Sequence, residues 1–157
     1  MDIYKASMAN LLPTPSKSHY TFNLRDFARV VQGMLLSSSV DLEKTSDLLL
    51  LWSHEMLRVF YDRLVNDDDR LWFVEHMKGL TQMHFNMDMN VLFKEFDFNE
   101  SGDVDDDDVR YLLYSHFTDP KAAKKTYRRV RDVDGFREAH EASLATDPLS
   151  SQGGLTD

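Results

Sequence analysis

The chain has 157 residues, no cysteine, 42% apolar residues and a formal net charge of −9. This length suits one domain with appendages, and the apolar share argues against wholesale disorder. The absence of cysteine excludes disulfides, a thiol nucleophile and a cysteine-based zinc site. The first residues lack the apolar core of a signal peptide, and no run approaches the roughly 20 apolar residues that span a bilayer. We therefore expect a soluble chain with no membrane partner.

The spacing of apolar residues predicts helices along most of the chain. They cover approximately residues 2–12, 23–35, 41–65, 66–80, 83–96, 106–117 and 133–145. Pro13 and Pro15 end the first helix because proline disrupts helical hydrogen bonding, and an extended segment follows. Asn23 is the predicted N-cap of the second helix, with Asp26 in its first turn. Few segments alternate with period two, so the predicted fold class is all-α.

Two apolar stripes mark the faces that we expect the predicted helices to bury. In the second helix the stripe consists of Leu24, Phe27, Val30, Val31, Met34 and Leu35. In the long helix over 41–65 it consists of Leu49, Trp52, Met56, Val59, Phe60 and Leu64.

The negative charge is concentrated in residues 66–108, which carry thirteen acidic and three basic side chains. Such a segment repels nucleic acid and attracts cations, so we expect no nucleic-acid partner. A solvated acidic surface explains the same composition without any ligand.

Residues 97–108, DFNESGDVDDDD, match the calcium-loop pattern, which places oxygen ligands at alternate positions around a glycine at the sixth. Gly102 occupies that sixth position, where the chain must turn sharply. Apolar periodicity on both sides predicts a helix–loop–helix over 83–117. The predicted ligands are the side chains of Asp97, Asn99, Ser101, Asp105 and Asp108, with the backbone carbonyl of Asp103.

The twelfth position of this loop departs from the pattern, because Asp108 stands where a glutamate normally supplies two oxygens. Aspartate is one methylene shorter, so we expect weak Ca²⁺ binding, with Mg²⁺ as the alternative ion. The alternative interpretation is an acidic turn whose aspartates cap the following helix and favour its dipole.

Two longer segments resemble axonemal dynein heavy chains. They are LLPTPSKSHYTFNLRDFARVVQGML (11–35) and LWSHEMLRVFYDRLVNDDDRLWF (51–73), and they resemble the small helical lid of the third AAA module in the motor ring. The resemblance continues through the loop and YRRVRDVDGFR (127–137), and inner-arm heavy chains carry a similar EF-hand-like insertion. The expected organisation is an AAA+ lid-like helical bundle at 1–82, an EF-hand-like helix–loop–helix at 83–117, a linker with a short helix at 118–145, and a disordered tail at 146–157.

The resemblance implies part of an ATP-driven, microtubule-based motor of cilia and flagella. The implied partners are the remainder of the motor ring or other dynein subunits, with microtubules contacted indirectly. The implied location is the cytoplasm and cytoskeleton, in the axoneme. It further implies that Arg25 matches the sensor arginine of the lid, which reaches toward the nucleotide phosphates. A surface arginine paired with a neighbouring acid is the alternative.

The sequence contains no GxxxxGK[ST] phosphate loop and no apolar strand ending in the paired acids that hold Mg²⁺. We therefore expect the chain to be no ATPase by itself, and ATP to act only in the context of a full motor ring. The chain looks like a fragment or a short isoform. A free-standing single-EF-hand calcium-binding or adaptor protein is the second hypothesis, and a non-functional fragment is the third.

Overall fold

The computed structural model describes residues 1–116, 126–131, 134–137 and 141. The chain divides into two compact units, Met1–Leu113 and Tyr114–Asp157. The described residues are mostly helical, which confirms the all-α prediction. None of the helices in this described part is both long and apolar enough to cross a membrane.

The first unit consists of helices joined by short connections. The helices are α1 (Asp2–Asn10), α2 (Leu24–Met34), α3 (Thr45–Met56), α4 (Asp67–Phe85), α5 (Met89–Leu92) and α6 (Asp106–Tyr111). A 3₁₀ turn at Ser39–Asp41 precedes α3, and a π-helical turn at Leu57–Tyr61 follows α3 directly. In the second unit, β1 (Tyr114–Ser115) pairs antiparallel with β2 (Arg128–Arg129), and residues 134–137 are helical.

Four predicted helices have the wrong boundaries, and one of them is the helix predicted over 66–80, which is α4 and continues to Phe85. The helix predicted over 41–65 is α3 with its π-helical turn, and it ends at Tyr61. The helix predicted over 83–96 is wrong, because α4 runs to Phe85 and the left-handed Asn86 ends it, leaving only the four-residue α5. The helix predicted over 106–117 stops at Tyr111, since the chain turns into β1.

Two further predictions fall largely outside the described residues. The helix predicted over 133–145 is helical at 134–137 and at 141, and its remaining residues lie outside the described part. The predicted disordered tail at 146–157 lies wholly outside it.

The core of the first unit is built on stacked aromatic rings. Phe60, in the π-helical turn, lies between Phe22 and Phe73, with ring centroids 5.5 Å and 6.3 Å apart. All three side chains are buried. Stacked aromatic pairs add stabilisation beyond the burial of their area. These contacts join the segment before α2, the π-helical turn and α4.

Half of the apolar stripe predicted for α2 is exposed, which corrects the expectation that this whole face is buried. Leu24, Val31 and Leu35 are 59%, 41% and 77% exposed, whereas Val30 is fully buried. The face that α2 does bury contains Gly33, because a Cβ at this position would lie 1.9 Å from Glu55 Oε2 of α3. Close approach to a buried carboxylate therefore sets the orientation of α2. The stripe predicted for the long helix is correct at Leu49, Met56, Phe60 and Leu64, with Trp52 and Val59 half-buried.

Asp26 fixes the start of α2, as the predicted N-cap arrangement requires. The Asn23 side chain accepts hydrogen bonds from the backbone N–H groups of Arg25 and Asp26, and Asp26 Oδ2 accepts one from the Asn23 N–H at 3.0 Å. The other carboxylate oxygen of Asp26 accepts from Arg63 at 3.1 Å and from Arg29 at 3.3 Å. This capping box confirms the prediction and joins α2 to the chain that follows the π-helical turn.

His54 on α3 is a buried imidazole in this unit. Its Nδ1–H donates to the carbonyl oxygen of Leu112 at 2.9 Å, which holds the end of α6 against α3. Burial lowers the pKa of His54 to about 4 from its ordinary value. The folded chain therefore keeps this side chain neutral over most of the acidic range.

We predict that His54 makes the first unit less stable on acidification. In the unfolded chain His54 titrates near its reference pKa of about 6.5, so between pH 6.5 and 4 the unfolded state binds more protons than the folded state. The free energy of unfolding should fall by about 3 kcal/mol as the pH is lowered through that window. Above pH 6.5 His54 is neutral in both states and should cause no loss of stability. Urea denaturation of the wild type and His54→Gln at several pH values tests this. Equal pH dependence in the two proteins would contradict it.

Candidate functional site

The loop at 97–108 connects α5 to α6 and is held at its ends by apolar contacts. Phe93 and Phe96 precede it with ring centroids 5.5 Å apart, and both are buried. Val104 within the loop and Val109 in α6 are also buried. The flanks of the loop are therefore part of the core; of its polar residues, Asp108 is buried and the others are exposed or half-buried.

The first half of the loop turns around Asp97. Its two carboxylate oxygens accept hydrogen bonds from the backbone N–H groups of Ser101 and Gly102, each at 2.9 Å. Asn99 Oδ1 also accepts from the Ser101 N–H, and the Asn99 amide donates to Asp105 Oδ2 at 2.8 Å. Gly102 has a φ of +76°, which confirms the prediction that this position needs a residue without a Cβ. Asp97, Asn99, Ser101 and Asp105 are thus brought together by the loop's own hydrogen bonds.

The second half of the loop caps α6. Asp105 Oδ1 accepts from the N–H groups of Asp107 and Asp108, and Asp108 Oδ2 accepts from the Asp105 N–H at 3.1 Å. This capping box is what the alternative interpretation of the acidic residues predicted. The Asp103 carbonyl accepts from the Ser101 hydroxyl at 2.8 Å, while the Asp103 side chain accepts from Lys78 of α4 at 2.7 Å.

The predicted ligands differ in their readiness to bind a cation. Burial raises the pKa of Asp108, and the nearby carboxylates of Asp105 and Asp97 raise it further. The Asn99 amide lowers the pKa of Asp105 by hydrogen bonding to its charged form. Oxygen donors of this kind suit Ca²⁺ or Mg²⁺, but an ion must displace the hydrogen bonds that now occupy them. Among the described residues, no group of three or more histidine or acidic side chains is arranged to hold a metal ion.

Arg25 is an exposed residue in the first turn of α2. The neighbouring Asp26 pairs with Arg29 and Arg63 instead. Within the part of the chain that the structure describes, the Arg25 guanidinium has no ion pair or hydrogen bond. The alternative of an arginine paired with a neighbouring acid therefore does not match its surroundings.

Sequence reasoning missed Lys78, which bridges Glu75 at 2.8 Å and Asp103 at 2.7 Å. The pair with Asp103 ties α4 to the loop across 25 residues of sequence. No local spacing could have revealed it, since helical and loop patterns relate only residues a few positions apart.

The segment that forms most of these helices matches a known protein family. A family model described as the AAA+ lid domain matches residues 1–101. The chain belongs to the AAA+ lid domain family. This finding confirms the lid prediction for the helices that carry Arg25 and the aromatic core.

This lid domain is also similar to axonemal dynein heavy chains, as the resemblance in the sequence indicated. It is 54% identical to human dynein axonemal heavy chain 1 over 128 residues, which is 82% of this chain and 3% of that protein. It is 40% identical to mouse dynein axonemal heavy chain 12 over 146 residues (92% and 5%) and 41% identical to mouse dynein axonemal heavy chain 3 over 142 residues (90% and 3%). The chain thus spans about one twentieth or less of the length of these relatives.

A glycine in the loop and a glycine in α4 give a matched test of the loop conformation. Gly102→Ala should lower the free energy of unfolding by about 1 kcal/mol, because its positive φ disfavours a Cβ. Gly79→Ala in α4 meets no atom within 4 Å and should raise stability by up to about 1 kcal/mol through helix propensity. Urea denaturation measures both. The same sign for the two substitutions would contradict the left-handed turn at Gly102.

Proposed function

We propose that the chain serves as a non-catalytic lid segment of an axonemal dynein heavy chain, within an ATP-driven, microtubule-based motor of cilia. The observation that carries this proposal is an AAA+ lid fold that presents an unpaired arginine in the first turn of α2. Its partners would be the remainder of the motor ring or other dynein subunits, with microtubules contacted indirectly. The corresponding location is the axoneme, within the cytoskeleton.

Arg25 is suited to contact phosphates that another part of the motor binds. The capping box of Asn23 and Asp26 fixes the backbone from which the Arg25 side chain projects. Arg63 and Arg29 neutralise the Asp26 carboxylate, so this acid does not compete for the Arg25 guanidinium. The planar fork of a guanidinium matches phosphate oxygens better than a point charge does. ATP would then be bound only in a full ring, to which this chain contributes the lid.

Arg25→Ala in a recombinant dynein motor that carries this segment should lower kcat/KM for ATP about tenfold, equivalent to about 1.4 kcal/mol. Arg25→Lys should recover part of the loss, because it keeps the charge without the fork. Steady-state ATPase kinetics measure the effect. Arg58→Ala is the matched control, since it removes an exposed arginine of the π-helical turn whose ion-pair partner, Asp62, is also exposed.

Two results would contradict this role. One is an equal loss of kcat/KM in Arg25→Ala and Arg58→Ala, which would indicate a general effect of surface charge. The other is ATP turnover by the purified 157-residue chain alone, which would require a phosphate-binding site within this segment.

This proposal keeps the domain boundaries that we expect from the sequence. The lid would cover 1–82 as part of the third module, and the EF-hand-like helix–loop–helix would cover 83–117. The linker with its short helix would cover 118–145, and the tail would cover 146–157. The matched family range, 1–101, extends from the lid segment into the loop.

Weak Ca²⁺ binding by the loop is a second candidate function. On this hypothesis the chain would act as a free-standing single-EF-hand calcium-binding or adaptor protein. The left-handed Gly102 and the two backbone N–H groups gathered by Asp97 favour it, because they give the loop the sharp turn that a calcium site needs. The short Asp108 side chain and the pairing of Asn99 with Asp105 oppose tight binding. Mg²⁺ is the alternative ion.

Calcium should produce a modest rise in the melting temperature of the wild-type chain by mass action. The rise should disappear in Asp97→Ala and grow in Asp108→Glu, which restores the longer carboxylate. Asp107→Asn is the matched control, because it removes one negative charge at a position outside the predicted ligand set. Thermal melts and titration calorimetry decide the question. If millimolar Ca²⁺ leaves wild type and Asp108→Glu equally unchanged, the acidic residues act only as a helix cap.

A further inference from the structure

A cavity of about 630 Å³ lies between the start of α4 and the loop that leads into α6. Its lining includes one basic residue, Arg70, among the described residues. Seven acidic residues also line it: Asp67, Asp68, Glu75, Asp103 and the run 105–107. The cavity is therefore a strongly negative concave surface.

Neighbouring cations neutralise only part of this charge. The ion pairs are Arg70 with Asp67, Lys78 with Glu75 and Asp103, and Arg110 with Asp106 and Asp107. Three bases against seven acids leave an excess of four negative charges. Asp68 has no ion pair or hydrogen bond within the described part of the chain. A cationic group that entered the cavity would meet carboxylates still without a partner of opposite charge.

The cavity also contains apolar surface and an unpartnered hydroxyl. Val74 and Val104 in its lining are buried, and Leu71 is 63% exposed. Tyr61 lines the cavity and is only 5% exposed, yet its hydroxyl has no hydrogen-bond partner among the described residues. One carboxylate oxygen of Asp106, another lining residue, is also buried and has no hydrogen-bond partner in the described part of the chain. Buried polar atoms without partners are uncommon in folded proteins, and two of them border this one cavity.

We propose that this cavity binds an arginine side chain presented by a segment of a partner protein. The methylenes of an arginine would cover the exposed Leu71, and its guanidinium would reach the surrounding carboxylates. A guanidinium has five N–H donors, so one can donate to the Tyr61 hydroxyl oxygen while others donate to carboxylates. Acidic partners are repelled by the same charges. This site is separate from the phosphate-facing role of Arg25.

The binding test uses the 157-residue chain and fluorescein-labelled octapeptides with a central Leu-Arg-Leu, in EDTA at low salt. Matched peptides replace the arginine with citrulline, which keeps the shape but not the charge, or with lysine. Fluorescence anisotropy should show saturable binding of the arginine peptide, weakened by added salt. The citrulline peptide should bind about tenfold more weakly, and the lysine peptide should fall between the two.

Two variants separate binding from structural effects. Tyr61→Phe should unfold at the same or a higher temperature, because it removes a hydroxyl that lacks a partner, and it should bind the arginine peptide about threefold more weakly. Asp68→Asn should weaken binding by a similar factor. Glu43→Gln is the matched control, because it removes the same charge from an exposed residue outside the cavity lining.

Three results would overturn the proposal. The first is the absence of saturable binding to the wild type up to about 1 mM peptide. The second is an equal effect of Glu43→Gln and Asp68→Asn, which would indicate diffuse attraction by net charge. The third is a Tyr61→Phe variant that unfolds at a lower temperature and binds the peptide normally, which would give the hydroxyl a purely structural role.

Discussion

The buried carboxylate of Asp26 is the interaction on which the arrangement of the lid helices depends. It closes the capping box at the start of α2 with one oxygen and accepts from Arg63 and Arg29 with the other. A buried charge is tolerated only when its hydrogen bonds are satisfied, so α2 cannot move without leaving this group unpaired. Because Gly33, near the other end of α2, approaches Glu55 of α3, α2 is fixed at both ends. That orientation in turn exposes Arg25 and half of the apolar stripe.

Local signals in the sequence correctly predicted the starts of α2 and α4. Asn23 and Asp26 identified the beginning of α2, and the run of acids at 67–69 marked the beginning of α4, because capping depends only on residues within one turn. The ends of helices were harder to predict from the sequence. Asn86 ends α4 in a left-handed conformation that asparagine tolerates but does not require, and the π-helical turn after α3 has no sequence signature of this kind.

The candidate sites show the same division between local and long-range information. The conformation of Gly102 followed from the loop pattern, since glycine alone adopts a positive φ without cost. The exposure of Leu24 and Leu35 did not, because periodicity defines an apolar face but not what covers it. The link from Lys78 to Asp103 and the unpartnered hydroxyl of Tyr61 depend on tertiary packing alone.

The acidic loop folds by using its own aspartates, and this limits what a cation can add. The capping box of Asp105 and Asp108 holds the start of α6, and Asp97 accepts the hydrogen bonds that hold the turn at Gly102. Asp103 is drawn to Lys78 and anchors the loop to α4. A cation that gathered these side chains would first have to break hydrogen bonds that already offset part of their mutual repulsion. The net gain from binding would be the difference between the contacts that the cation makes and the hydrogen bonds that it displaces. The number of carboxylates in the loop therefore does not by itself determine the affinity for a cation.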